Sequence, residues 1–321
     1  MELLRINNLK TYFKIKAGIV RAVDNVSLSL DYGEALGLVG ESGCGKTTTA
    51  LSINNLLPEE GEIIDGDIFL EGENLVGMSA AGIKKIRWNK VAMIFQGAMN
   101  ALNPVMRIGD QIAEAIVLHK QVSYKEALER VEDLFRLVDL EPNRIKNYPH
   151  EFSGGMKQRA MIAMALACDP KLVIGDEPTT ALDVMVQAQI LNLLQKLRRE
   201  LNMGIMIITH DLSILGETCD KIAVMYAGKI VESGTVEDVF VSNLHPYTHK
   251  LLTAFPNIHK ERLMPEAIEG SPPDLINPPA GCRFHPRCEY RQDICNEQEP
   301  ELQKASETHV HACHFGGVFN E

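Results

Sequence analysis

Short apolar runs, each closed by a polar turn, punctuate this chain. Ala35-Leu36-Gly37-Leu38-Val39, Leu172-Val173-Ile174 and Ile205-Met206-Ile207-Ile208-Thr209 are continuous rather than alternating, the pattern of parallel strands buried on both faces. Lys221 to Tyr226 and Lys229 to Ser233 read as further strands, and Lys46 to Leu57 as a helix ended by Pro58. In the middle of the chain the period lengthens. Ile108, Ile112, Ala115 and Ile116 keep one face of a helix apolar, and Leu128, Val131, Leu134, Phe135 and Val138 do so for the next. Ser123 with Glu126 three residues later predicts a capping box at the start of the second helix. After residue 236 regular patterning gives way to His245-Pro246-Tyr247-Thr248-His249, Pro272-Pro273 and Pro278-Pro279-Ala280-Gly281-Cys282, a loop-rich segment stiffened by proline.

Candidate chemistry sits where the apolar runs end. Gly40-Glu41-Ser42-Gly43-Cys44-Gly45-Lys46-Thr47 follows one strand and opens a helix, so successive backbone N–H groups point at phosphate oxygens. Lys46 then reaches the β and γ groups, Thr47 ligates magnesium, and Thr48 completes the cradle. The flanking strand and helix argue against a glycine-rich turn with a chance lysine. The run Leu172 to Ile174 drops into Asp176 and Glu177. Asp176 is expected to hold magnesium through its water shell, and Glu177 to polarise the water that attacks the γ-phosphate. A solvated acidic turn is the alternative, and the cradle upstream weighs against it. His210 follows Ile205 to Thr209 and is expected at the same sheet edge as Asp176, within reach of the γ-phosphate. Ser153-Gly154-Gly155 offers a hydroxyl and bare N–H groups at a helix start, a second anion site in a chain with one cradle. Such a site implies sharing between two chains.

These motifs, with Gln96 between them and Ser153-Gly154-Gly155-Met156-Lys157-Gln158-Arg159 as a signature sequence, resemble the ATP-binding cassette family, the ATPase subunits of ABC transporters. The resemblance departs from the usual pattern at Phe152, where leucine is common, and at Met156 and Lys157. It implies an α/β fold: a RecA-like P-loop ATPase core with an antiparallel β subdomain (residues 1–96 and 156–235), an inserted α-helical subdomain (97–155), and a loop-rich, cysteine-containing C-terminal extension (236–321). It also implies two cassettes facing head to tail, each signature closing on the partner's ATP. Gln96 becomes a lid residue that joins the magnesium site and reports to the membrane subunits. Ala181-Leu182-Asp183 becomes a loop crossing the dimer interface, and Tyr12 or Phe13 the residue stacked on adenine. Asn100-Ala101-Leu102-Asn103-Pro104, the His245-Pro246-Tyr247 segment and the proline-rich tail resemble the dipeptide and oligopeptide importer ATPases, a likeness shared by nickel importers. The partners so implied are a second cassette, more often a related product than an identical one, two membrane permease subunits, and, indirectly, an external peptide-binding protein.

Four of the seven cysteines fall in the tail, as Cys282, Cys288, Cys295 and Cys313 in a C-x5-C-x6-C-x17-C pattern. Disulfides are disfavoured in the cytosol, so a group of this kind points to metal. The spacing lacks the tight pairs of zinc sites. A [4Fe-4S] cluster is the first expectation, Zn2+ the alternative, with His285, His309, His311 and His314 as substitute ligands, and four free thiols the third. The metal is expected to be structural, supplying folding energy to a tail poor in apolar residues. Cys168 and Cys219 read as small buried residues, and Cys44 as a filler through which thiol reagents block ATP.

Composition narrows the setting. The chain has 321 residues, 45% hydrophobic and 23% charged, enough for about two or three structural units. No apolar run approaches the roughly 18–20 residues of a bilayer crossing, and Met1-Glu2-Leu3-Leu4-Arg5 lacks a signal-peptide pattern. The expected location is the cytoplasmic face of the membrane. A net charge of −11 argues against general binding of nucleic acid. A soluble cassette ATPase of repair, translation or iron–sulfur assembly is the rival function, disfavoured by the single cradle, the absence of sustained heptads and the tail.

Overall fold

The computed structural model describes residues 1–97, 101–180, 182–254 and 268–319. The chain divides into two compact units, one of Met1–Leu3, Asp31–Glu34 and Gly77–Ile207, the other of Leu4–Leu30, Ala35–Val76 and Ile208–Glu321.

In the first unit, strands Gly204–Thr209 (up to Ile207), Leu172–Asp176 and Val91–Ile94 lie side by side in that order, and Val91 runs parallel to Leu172. Every position of Leu172–Asp176 is buried, which is why its sequence does not alternate. Helices Ile108–Lys120 and Tyr124–Leu137 supply an apolar face each. Ile108, Ile112, Ile116, Val131, Leu134, Phe135 and Val138 are buried as their spacing predicts. Ala113 and Ala127 are also fully buried, whereas Ala115 and Leu128 are only half-buried. Small residues at 113 and 127 extend each stripe by one position toward its neighbour. The capping box forms: Ser123 Oγ accepts from the Glu126 N–H at 3.3 Å, and the Glu126 carboxylate accepts from the Ser123 N–H at 2.8 Å.

The second unit holds two sheets. Gly18–Asp31, Glu2–Ile15, Gly61–Leu70 and Glu73–Asn74 follow one another in a sheet whose last three strands pair antiparallel. The other runs Gln303–Lys304, Val310–His311, Lys229–Thr235, Lys221–Tyr226, Ala35–Val39. Only Ala35–Val39 with Lys221–Tyr226 is parallel among these pairs. Helix Lys46–Ile53 stops before the expected Leu57. Asn54 Nδ2 donates to the Ala50 carbonyl and Asn55 turns left-handed at φ 50°, so two asparagines rather than Pro58 end the helix.

The tail is more ordered than its composition predicts. Val310–His311 extends the edge of Lys229–Thr235, and Tyr226, Tyr247 and Phe284 meet with ring centroids 4.5–5.4 Å apart. All three side chains are buried. The tail, expected to lack enough apolar area to fold without metal, has an aromatic cluster that docks it onto the sheet. Among the described residues, no helix is long and apolar enough to cross a membrane.

Candidate active site

Strand Ala35–Val39 carries the chain to the phosphate loop, where glycine is required by crowding as well as by dihedral angle. A Cβ on Gly40 (φ 154°) would stand 2.0 Å from the Met225 carbonyl oxygen, and one on Gly45 (φ 107°) 2.2 Å from that of Ala22. Only a bare backbone passes there. Lys46 is buried, and its ammonium donates to the carbonyls of Gly40 at 2.7 Å and Glu41 at 2.9 Å, which fixes the charge inside the loop. Ser42, Gly43 and Thr47 are exposed and Thr48 is half-buried. Cys44 is buried, and burial raises its thiol above the usual range.

Two tail residues meet the loop at Glu41. The Glu41 N–H donates to Tyr247 Oη at 2.9 Å, and its carboxylate accepts both Arg287 Nη atoms, at 2.6 and 3.0 Å. The His245-Pro246-Tyr247 segment explains how Tyr247 is aimed. His245 Nδ1 accepts from the Tyr247 N–H at 3.0 Å and caps helix Pro246–Thr253, with Pro246 in its first turn. His245 is 1% exposed, and burial pulls its pKa down to about 3, so it stays neutral and free to accept. Its own N–H and that of Leu244 donate to the buried Glu232 carboxylate, which also lies 2.7 Å from His309 Nε2.

Tyr12 and Phe13 sit on Glu2–Ile15 and are both half-buried. Tyr12 Oη donates to Asp24 at 3.0 Å, and Asp24 pairs with Lys229 at 3.6 Å and with Arg283 of the tail. Burial works to raise the Asp24 pKa, but Lys229, Arg283 and the Tyr12 hydrogen bond outweigh it and hold the carboxyl below its ordinary value. Phe13 packs against Gly61, whose Cβ would stand 2.8 Å from its ring. His210 follows Gly204–Thr209 and is exposed, and Asp211 behind it caps helix Leu212–Thr218.

The first unit carries the paired acids. Asp176 ends its strand buried, while Glu177 is half-buried and left-handed at φ 49°, a backbone state that costs a glutamate of order 1–3 kcal/mol. Its carboxylate accepts from Gln96 Nε2 at 2.7 Å and Thr180 Oγ1 at 2.9 Å. Strain at this position is offset by two convergent donors. Ser153 caps helix Gly154–Ala165 by accepting from the Met156 N–H, and a Cβ on Gly155 would lie 2.7 Å from Val186 Cγ1. Asp183 caps helix Val184–Leu201. Ala181 and Asn100 lie outside the described residues.

The tail cysteines, scattered from 282 to 313, line one small cavity of about 20 Å³ together with His245, Phe284, His285 and Phe315. Burial pushes Cys282 up to about 12 and Cys313 up to about 11, with the neighbouring thiols adding to both. Burial also raises Cys288. The donor set is all sulfur, which suits zinc or an iron–sulfur cluster. Yet among the described residues no group of three or more His, Cys, Asp or Glu side chains is arranged to hold a metal ion.

Within each unit the structure brings together residues that sequence spacing did not: Gln96 with Glu177 in the first, and Arg287, Tyr247 and Glu41 in the second. Arg283 and Arg287 were invisible to motif reading. The one available signal was that both arginines lie in the same segment as Cys282 and Cys288.

The ABC transporter family model matches residues 23–180, and the oligopeptide/dipeptide transporter C-terminal region matches residues 231–295. The oligopeptide transport ATP-binding protein AppD of Bacillus subtilis is 48% identical over 303 residues, covering 94% of this chain and 92% of the relative. OppD of Salmonella typhimurium, likewise an oligopeptide transport ATP-binding protein, is 46% identical over 314 residues, covering 97% and 93%. A solved dimeric, post-hydrolysis ATP-binding cassette bound to ADP and Pi superposes with a TM-score of 0.65 at 25% identity, covering 73% of this chain and 99% of that one. With this identity spread over nearly the full length of both partners, the chain belongs to the ABC transporter family, in the group that carries the oligopeptide/dipeptide transporter C-terminal region.

Proposed function

We propose that this chain is the ATP-hydrolysing subunit that drives an importer of dipeptides or oligopeptides. The observation that carries the reading is the 2.7 Å hydrogen bond from Gln96 to Glu177, which places an exposed glutamine directly on the carboxylate assigned to polarise water. A glutamine that follows the membrane subunits thereby controls whether that carboxylate is free to act. The relatives' names, oligopeptide and dipeptide transport ATP-binding proteins, favour peptide over nickel and over the repair, translation and iron–sulfur assembly ATPases.

In this reading Lys46 and the N–H groups of the Gly40 to Thr48 loop other than that of Glu41 hold the phosphates, and Tyr12 or Phe13 receives adenine. Thr47 and Asp176, with Gln96, are hard oxygen donors suited to magnesium. Magnesium, when bound, neutralises charge on the phosphates. Glu177 accepts the proton of the attacking water and His210 faces the γ-phosphate. Ser153, Gly154 and Gly155 meet the nucleotide of a second cassette, most simply a related heterodimer partner. Exposed apolar residues support interfaces at both places: Val184 (81% exposed) and Met185 (72%) beside Asp183, and Val105 (79%) after Gln96. Two permease subunits, and through them an external peptide-binding protein, complete the assembly at the cytoplasmic face of the membrane. Glu177→Gln is expected to keep MgATP bound while turnover is lost, and to give an ATP-dependent dimer with its partner cassette in size-exclusion chromatography. A variant that hydrolyses ATP at the wild-type rate, or that forms no such dimer when the partner cassette is present, would overturn the reading.

A second part of the reading concerns Cys282, Cys288, Cys295 and Cys313. Their sharing of one cavity favours a metal centre, a [4Fe-4S] cluster ahead of Zn2+, with a structural role. Anaerobic purification with iron, sulfide and zinc analysis tests it: about four irons and four sulfides per chain supports the cluster. Zinc near one per chain without sulfide replaces it with the alternative, and neither metal removes both.

A further inference from the structure

Glu41 of the phosphate loop has its carbonyl, N–H and carboxylate all engaged inside the protein, and the last two go to the C-terminal extension. Its carbonyl accepts from the Lys46 ammonium at 2.9 Å. Its N–H donates to Tyr247 Oη at 2.9 Å. Its carboxylate takes both arms of Arg287, at 2.6 and 3.0 Å. The loop residue that orients the phosphate-binding lysine is thus oriented in turn by two side chains of the C-terminal extension.

The two anchors are themselves held from several sides. Tyr247 is buried, its ring tilted 55° against that of Tyr226 with centroids 4.5 Å apart, and its helix is capped by His245. Arg287 donates Nε to the Glu269 carbonyl at 2.9 Å and Nη2 to that of Ile268 at 3.2 Å, and its guanidinium lies 5.8 Å from the Tyr226 ring centroid. Its side chain is 5% exposed. A bidentate guanidinium–carboxylate pair fixes direction as well as distance, and a lysine cannot reproduce it.

We propose that Arg287 and Tyr247 are positioning residues for ATP: they hold Glu41, and through its carbonyl Lys46, in the geometry that grips the β and γ phosphates. The proposal rests on the assignment of the loop as an ATP site. The C-terminal extension then has a function besides marking the importer group, because it forms the outer wall of the cradle. Loss of the pair should weaken ground-state and transition-state binding alike, raising KM with little change in kcat. Arg287 immediately precedes Cys288, so a change in the tail's thiol cavity has a one-residue path to Glu41.

The test uses the purified full chain and measures steady-state ATP hydrolysis together with equilibrium binding of a fluorescent ATP analogue. Arg287→Gln and Glu41→Gln are each expected to raise the KM for ATP about tenfold with kcat within threefold, and the double variant to be no worse than the weaker single one, since both act on one contact. Arg287→Lys should rescue only part of the loss. Tyr247→Phe, which keeps the ring in the aromatic cluster and removes only the hydroxyl, is expected to raise KM about threefold and carries the test if the arginine variant does not fold. An unchanged KM in Tyr247→Phe together with an unchanged KM in, or no foldable form of, Arg287→Gln overturns the proposal, as do losses in Arg287→Gln and Glu41→Gln that multiply in the double variant. If the wild-type chain itself binds no ATP analogue, the ATP-site assignment fails, a result distinct from normal wild-type binding with insensitive variants.

Discussion

The phosphate loop and the cysteine tail both gather reactive groups around a small space, but they do it by opposite means. In the loop, eight consecutive residues, Gly40 to Thr47, carry the arrangement, and crowding against the Met225 and Ala22 carbonyls dictates glycine at two of them. Neighbours along the chain do the assembling. In the tail, four thiols are gathered from positions 282 to 313 by the burial of Phe284 against Tyr226 and Tyr247 and by the pairing of Val310–His311 with Lys229–Thr235. The first is a local motif, buttressed from the tail at Glu41. The second exists only as long as the fold does.

Mutation can break this contrast into its parts. The largest effect is expected on the motif side, in chemistry alone: Glu177→Gln should slow ATP turnover by roughly 10²- to 10⁴-fold, the contribution of a general base, with the melting temperature within about 2 °C of wild type. Steady-state hydrolysis and calorimetry read the two separately. On the tail side the expectation reverses. Phe284→Ala removes a fully buried ring from the aromatic cluster and should cost about 3–5 kcal/mol in denaturant unfolding of the extension, exposing the tail cysteines to a thiol reagent. Unchanged labelling of Cys282 and Cys313 in that variant would show that the cluster is not what closes the cavity.

Asp24 ties the tail to strand Glu2–Ile15, since it binds both Tyr12 and Arg283. Its folded pKa lies below the unfolded value near 3.8, so its contribution is present above that pH and is lost as pH falls through the folded pKa. Asp24→Asn should flatten the acid limb of the stability curve below about pH 4, read by thermal unfolding across pH. The smallest effect is expected far from both regions. Ser123→Ala removes one arm of a helix cap and should cost about 1 kcal/mol with no change in ATP hydrolysis.

Much of the first unit was legible because its signals are periodic or local. Continuous apolar runs marked Leu172–Asp176 and Gly204–Thr209, and the capping box at Ser123 formed as spacing required. The errors there were small and physical, with Ala113 and Ala127 entering the helix contacts, and in the second unit Asn55 ended a helix that Pro58 was expected to end. The tail was underestimated because aromatic residues far apart in sequence, Tyr226, Tyr247 and Phe284, carry no period.

The sequence alone determined the phosphate loop, the paired acids after a buried strand and the two amphipathic helices Ile108–Lys120 and Tyr124–Leu137, since backbone geometry and side-chain period are properties of neighbouring residues. Only the tertiary structure decided that Gln96 rests on Glu177, that Tyr247 and Arg287 converge on Glu41, and that four spaced cysteines face one cavity. Hydrogen bonds and burial act over a few ångströms whatever the separation along the chain, so partners 81 or 246 residues apart leave no mark in local pattern.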